Sequence, residues 1–206
     1  GSSAGDLITT GGNNTCIGYQ SGSYTVNLAT GSNNQLIGSY SHTSATDSAN
    51  QKIIGYNVVG SGDGTFTFGN GTTDTTCTDG ATTWSNPSDE RIKKDIQTST
   101  LGLSFINDLR PVTFRYKEKG ELPEWHGDYV EGSSESYNNN LTNHGYIAQE
   151  VKEAMDSAGD SVKDGYEGWK LNETNDLQRV GEGAFVGALI KAVQELTAKV
   201  EALENN

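Results

Sequence analysis

The hydrophobic positions of this chain change their rhythm once, near Ser88. Before it they stand singly or in pairs inside polar, glycine-rich stretches. After it they recur at strand and helix spacings among charges. Three phrases of the first stretch align: GNNTCIGYQSG from Gly12, SNNQLIGSYSH from Ser32 and ANQKIIGYNVV from Ala49. Each carries Asn, polar positions, an apolar pair and Gly. The isoleucines fall at Ile17, Ile37 and Ile54, spacings of 20 and then 17 residues. A period of that size predicts stacked strand-and-turn units rather than one globular core. A fourth phrase, GDGTFTFGNG, alternates Thr and Phe between glycine turns, the pattern of a strand with one buried face. Each repeat offers two or three apolar side chains, too few to bury a core within one chain. The expectation for residues 1–87 is therefore an all-β fibre tip: an intertwined, triple-stranded, β-helix-like homotrimer. Ile17, Leu36, Ile37, Ile53, Ile54, Phe66 and Phe68 are expected to face inward. A low-complexity linker is the competing reading, and the recurring Ile-Gly phrase argues against it.

From Ser88 the pattern predicts an α+β domain. TLGLSFINDLR reads as a short helix that stops before Pro111, and PVTFRYK as a strand. The stretch from Gly120 to Asn143 has turn residues and no period, so it reads as a loop insertion. HGYIAQEVKEAMDSAGD reads as a strand running into a helix that stops at Gly159. From about residue 180, Val186, Leu189, Val193, Leu196, Val200 and Leu203 alternate spacings of three and four, the seam of a coiled coil. Val at a and Leu at d lean toward a dimer; the trimer expectation rests on the repeats.

Charge sharpens the division. Residues 1–87 hold one Lys, no Arg, five Asp, 15 Gly and 16 Thr, and the remaining 13 basic and 22 acidic residues follow. The net charge of −13 speaks against nucleic acid, which is bound by clustered Lys and Arg. No run of about 18 apolar residues predicts a membrane span. Cys16 and Cys77 lack zinc-type spacing and are expected as small, buried hydrophobes, with no metal site. Gly1-Ser2 reads as an added leader, so residue 1 is not expected to be the natural start. Uncharged surface Thr, Asn, Ser and Tyr suit contact with a glycan.

Four phrases of the second segment carry a resemblance: SDERIKKDI from Ser88, LSFINDLRPVTFRYK from Leu103, HGYIAQEV from His144 and ALIKAVQEL from Ala188. Together, over about residues 88–199, they resemble the C-terminal intramolecular chaperone domain of bacteriophage tail fibres, tailspikes, neck appendages and endosialidases. The repeats before them resemble the triple-stranded tips of phage fibres and the head repeats of trimeric bacterial adhesins. The resemblance implies a domain that trimerises, guides the folding of the fibre ahead of it, and cuts itself off between Pro87 and Ser88. It implies a catalytic pair of Ser88 and Lys93; from the residues themselves, Asp89, orienting Lys93 or Arg91 or simply capping, Arg91 and His144 are supporting candidates. It implies no cofactor, a virion tail fibre or tailspike carrying a bacterial surface receptor site, and a chaperone released in the host cytoplasm. A permanent, non-cleaving trimerisation cap is the alternative.

Those residue types can supply the chemistry. A Ser hydroxyl attacks only when a base takes its proton. A Lys serves as that base only when neutral, whereas a free Lys titrates near 10.4. Arg91 and Lys94 are like charges close in sequence, and burial between chains adds desolvation; both disfavour the charged amine. Lys93 is thus expected to become competent only when three chains have closed around it. The acidic residues show no pairing that suggests a glycosidase. Trp84, Trp125 and Trp169 are expected to pack rather than bind sugar.

Overall fold

The computed structural model describes residues 1–159 and 168–205, and the chain divides into two compact units, Gly1–Ile96 and Gln97–Asn206. It is a mixed α+β protein.

In the first unit the repeats stack. β1 (Thr15–Ile17), β2 (Gln35–Ile37), β3 (Lys52–Gly55) and β4 (Thr65–Gly69) pair in parallel and in order. β5 (Thr75–Thr78) then pairs antiparallel with β4. The recurring residues are corner pieces. Asn13, Asn33 and Asn50 all adopt left-handed backbone, with φ of 58°, 62° and 57°, a region Asn tolerates better than most residues. Gly38 and Gly55 have φ of 133° and 134° and abut the coil below: a Cβ on either would lie 2.0 Å from the next glycine's carbonyl oxygen. The second amide of each phrase forms an internal ladder. The Asn14 Oδ1 accepts from the Asn34 backbone at 2.9 Å, and the Asn34 Oδ1 accepts from the Gln51 backbone at 3.0 Å. Asn34 and Gln51 are fully buried, so these bonds satisfy groups whose isolation would cost about 1–3 kcal/mol each.

The expected inward face needs correcting. Leu36 and Ile53, with Leu28 and Val58, form a core inside one chain, all fully buried. Burial of each contributes about 1.5–3 kcal/mol. Their strand neighbours Ile17, Ile37, Ile54 and Phe68 are 41–55 % exposed. Register explains the split: Cys16, Leu36, Ile53 and Thr67 align on one face, and Ile17, Ile37, Ile54 and Phe68 on the other. Strand side chains alternate, so the apolar pair of each repeat is divided between faces. In β4 the buried residue is therefore Thr67, not Phe66 or Phe68. The backbone ladder is also satisfied within one chain, because successive repeats bond to each other. Cys16 is half-buried against the core, Cys77 is half-buried on β5, and both are free thiols.

In the second unit, α1 (Leu103–Asp108), β6 (Val112–Phe114), β7 (Asn143–Gly145), α2 (Ala148–Ser157), β8 (Trp169–Leu171), β9 (Gln178–Val180) and α3 (Phe185–Glu204) follow in order. The sheets are two-stranded and antiparallel, β6 with β7 and β8 with β9. Leu101, Phe105, Val151, Ala154, Met155, Phe185 and Ala188 make the core. Gly159 ends the α2 region in left-handed backbone, φ 78°. α3 presents two faces. Phe185, Ala188 and Ala192 are buried, and Val186, Leu189, Val193, Leu196, Val200 and Leu203 are 44–77 % exposed.

α1 has no cap of its own, since its N-cap is Gly102. Glu195 of α3 supplies one: its Oε2 accepts from the Leu103 N–H at 2.9 Å. That bond, ahead of the attraction of Lys191, holds the Glu195 carboxyl below the usual range. A depressed carboxyl stabilises the fold above its unfolded pKa, and the contribution is lost as pH falls through its folded value. Glu195→Gln should therefore lower the melting temperature at neutral pH and leave it close to wild type in strong acid. Melts from about pH 7 down to about pH 3 check this; a gap that stays constant with pH would refute it.

Candidate functional site

The seam begins where the first unit's last hairpin is strapped down. Ser85 and Thr76 exchange backbone hydrogen bonds at 2.8 and 2.9 Å, and Thr75 Oγ1 donates to Asn86 Oδ1 at 2.7 Å. Pro87 follows, then Ser88. Asp89 has extended backbone and caps a single 3-10 turn, Glu90–Ile92, by accepting from the Arg91 N–H at 2.9 Å. Lys93 closes the turn with its N–H on the Glu90 carbonyl at 3.0 Å. One tight turn thus separates Ser88 from Lys93, and the four-carbon lysine stem reaches back across it. Lys93 Nζ donates to Ser88 Oγ at 2.7 Å.

Asp89 does not orient Lys93. Its carboxylate takes a forked pair from Arg91, Nε at 2.9 Å and Nη2 at 2.7 Å. The Arg91 hydrogen bonds hold the Asp89 carboxyl below its ordinary range, and Asp89 in turn raises the guanidinium. The aspartate therefore neutralises a neighbouring like charge and fixes the turn. Ser88, Lys93, Asp89 and Arg91 are all exposed, so water reaches the pair in the single chain. The geometry brings together a hydroxyl, an amine at hydrogen-bond distance and the carbonyl one residue upstream.

His144 belongs to the second unit. It sits in β7 opposite Thr113 of β6 and lines an open cleft with Pro111, Val112, Tyr146 and Glu182. Sequence reasoning passed over Arg110 and Glu150, which join two of the recognised phrases. Arg110 Nε donates to Glu150 Oε2 at 3.0 Å, and Nη2 pairs with Oε1. This fork depresses the Glu150 carboxyl and raises the Arg110 guanidinium. The signal was available: a lone Arg before a helix-breaking Pro, and a lone Glu in the first turn of a helix. Of the tryptophans, Trp84 stands edge-on to Phe66 and Phe68 but is 52 % exposed, Trp169 packs on the core and donates to Gln178 at 2.8 Å, and Trp125 is exposed as well.

No curated protein and no solved structure matches the chain. A family model does, beginning at the seam serine: residues 88–160 match the peptidase family described as the chaperone of endosialidase. The match takes in the SDERIKKDI, LSFINDLRPVTFRYK and HGYIAQEV phrases and stops before ALIKAVQEL. Over residues 88–160 the chain is therefore similar to the chaperone-of-endosialidase family.

Proposed function

We propose that residues 88–206 are an intramolecular chaperone that assembles three copies of the fibre segment 1–87 and then releases itself by one self-cleavage between Pro87 and Ser88. The observation that carries this reading is the 2.7 Å contact between Lys93 Nζ and Ser88 Oγ at the residue where the family match begins.

Neutral Lys93 takes the Ser88 hydroxyl proton, and Oγ attacks the Pro87 carbonyl carbon. The Pro87–Ser88 C–N bond breaks, and the departing nitrogen takes the proton back from the Lys93 ammonium. An ester now joins the Pro87 acyl group to Ser88 Oγ. Water attacks it, giving a Pro87 carboxylate and a free Ser88 with amine and hydroxyl. Proximity is intrinsic because nucleophile and carbonyl are neighbours in the chain, and the proline ring fixes φ at residue 87. Packing of three chains around the exposed seam would strip water from Lys93 and disfavour its charged form. Cleavage then reports completed assembly.

Two surfaces support a threefold partner of the same chain. The outward row Ile17, Ile37, Ile54 and Phe68 is an apolar stripe on coils whose internal core rests on Leu28, Leu36, Ile53 and Val58. The second is the exposed a/d row of α3. Coiled stacks built mostly of non-local contacts fold slowly. A helical clamp at the C-terminus raises the effective concentration of the three segments. Removing it afterwards leaves a product whose persistence is kinetic. For the receptor, Tyr19, Tyr24, Tyr40 and Tyr56 cluster with ring centroids 4.7–5.6 Å apart on the coils. That aromatic, uncharged surface suits a bacterial glycan.

Intact mass of the purified wild type tests the reading. Two fragments are expected, one ending at Pro87 and one starting at Ser88. A single full-length mass under assembling conditions overturns it in favour of a permanent cap.

A further inference from the structure

We infer that Trp84 is a positioning residue for this cleavage: seated on the fibre's last hairpin, it holds the scissile bond in place only when that hairpin has formed. The inference rests on the Ser88–Lys93 reading.

Trp84 lies four residues before Ser88. Its ring stands edge-on to Phe66 and Phe68 of β4, with centroids 5.6 and 5.4 Å away and interplanar angles of 71° and 74°. Phe68 is the last rung of the outward apolar row, in register with Ile54. The next residue, Ser85, is locked to Thr76 of β5 by two backbone hydrogen bonds, and Asn86 takes the Thr75 hydroxyl. Three consecutive residues are thus tied to the β4–β5 hairpin, and only Pro87 stands between the last tie and the nucleophile. Proline removes further slack, because its φ is fixed. The carbonyl that Ser88 attacks therefore inherits its position from the hairpin.

None of these ties exists in an unfolded fibre segment. Phe66 and Phe68 come together with β5 only when β4 is paired, and β4 is the fourth parallel rung of the stack. Without the Trp84 seat, the Ser88 side of the bond remains on its 3-10 turn, while the Pro87 side is held only by the Ser85 and Asn86 hydrogen bonds and gains play relative to it. Displacements of about 1 Å at a reacting centre cost on the order of 100-fold in rate. The strap thus makes the cut conditional on the state of the segment being released. After the cut, residues 84–87 stay with the fibre segment, and Trp84 keeps its edge-on contact with Phe66 and Phe68.

The experiment is a cell-free synthesis chase of the full chain, following the fraction cut with time, beside size exclusion of the same variants carrying Ser88→Ala. Trp84→Ala should assemble as wild type and be cut about 10- to 100-fold more slowly. Trp84→Phe should recover most of the rate, since an aromatic edge is restored. Cutting of Trp84→Ala at the wild-type rate overturns the inference while leaving the Ser88–Lys93 reading intact. If Trp84→Ala does not assemble, the double variant Thr75→Val, Asn86→Ala decides: slowed cutting in an assembled protein supports the strap, and an unchanged rate overturns it. A wild type that is never cut overturns both proposals.

Discussion

Ser88→Ala leaves the chain whole. With no hydroxyl at residue 88 there is no ester, and the bond after Pro87 is left to uncatalysed hydrolysis. The rate should fall by at least about 10⁶-fold, the low end of what enzymatic rate enhancement supplies. Lys93→Ala keeps the nucleophile and removes its base, a loss of about 10²- to 10⁴-fold. Lys93→Arg separates base from charge. The guanidinium still donates to Ser88 Oγ but cannot give up its proton, so it should be as slow as Lys93→Ala. Ser88→Cys keeps a competent nucleophile and should still cut. Mass spectrometry across the junction of Pro87 with residue 88 reads all four. Cutting by Ser88→Ala, or rapid cutting by Lys93→Arg, would remove these residues from the roles given to them.

The second large effect concerns assembly. Leu196 lies in the exposed a/d row of α3, 51 % exposed in one chain. If three such rows meet, Leu196→Asp places three carboxylates in an apolar seam, at a cost of several kcal/mol for each buried charge. The expected product is a monomer by analytical ultracentrifugation, and it should remain uncut because Lys93 stays hydrated. Ala198→Asp, exposed on the same helix and off that row, serves as the control and should remain trimeric and cut. A monomeric Leu196→Asp protein that cuts efficiently would break the coupling between assembly and cleavage. A trimeric one would show that the fibre segment holds the chains together without the helix.

Much of this could be read from residue order. Asn-rich, Ile-Gly repeats gave the stacked strands because each recurring residue has a local job: Asn at a left-handed corner, an amide for the internal ladder, Gly where the next coil comes within contact distance. The phrase SDERIKKDI gave the seam, because a 3-10 turn over Glu90–Ile92 is enough to return Lys93 to Ser88. What order left open was facing. Ile17 and Ile37 look as buried as Leu36 in sequence, and a strand hides every second residue whichever face is chosen. Trp84 likewise reads as a generic aromatic until β4 brings Phe66 and Phe68 beneath it.

Residue order was enough for the repeat, for the stretch from Ser88 that the family model matches and for the helix near the C-terminal end. Periodicity, turn residues and a short-range Ser–Lys spacing are all local properties. Folding in three dimensions was needed to close a core from the repeats of one chain and to turn their isoleucines outward. It was also needed to bring Glu195 to the start of a helix 92 residues away, and to give Asp89 to Arg91 rather than Lys93. Those outcomes depend on register and on contacts between side chains, and a one-residue shift, invisible in composition, reverses which of them meet.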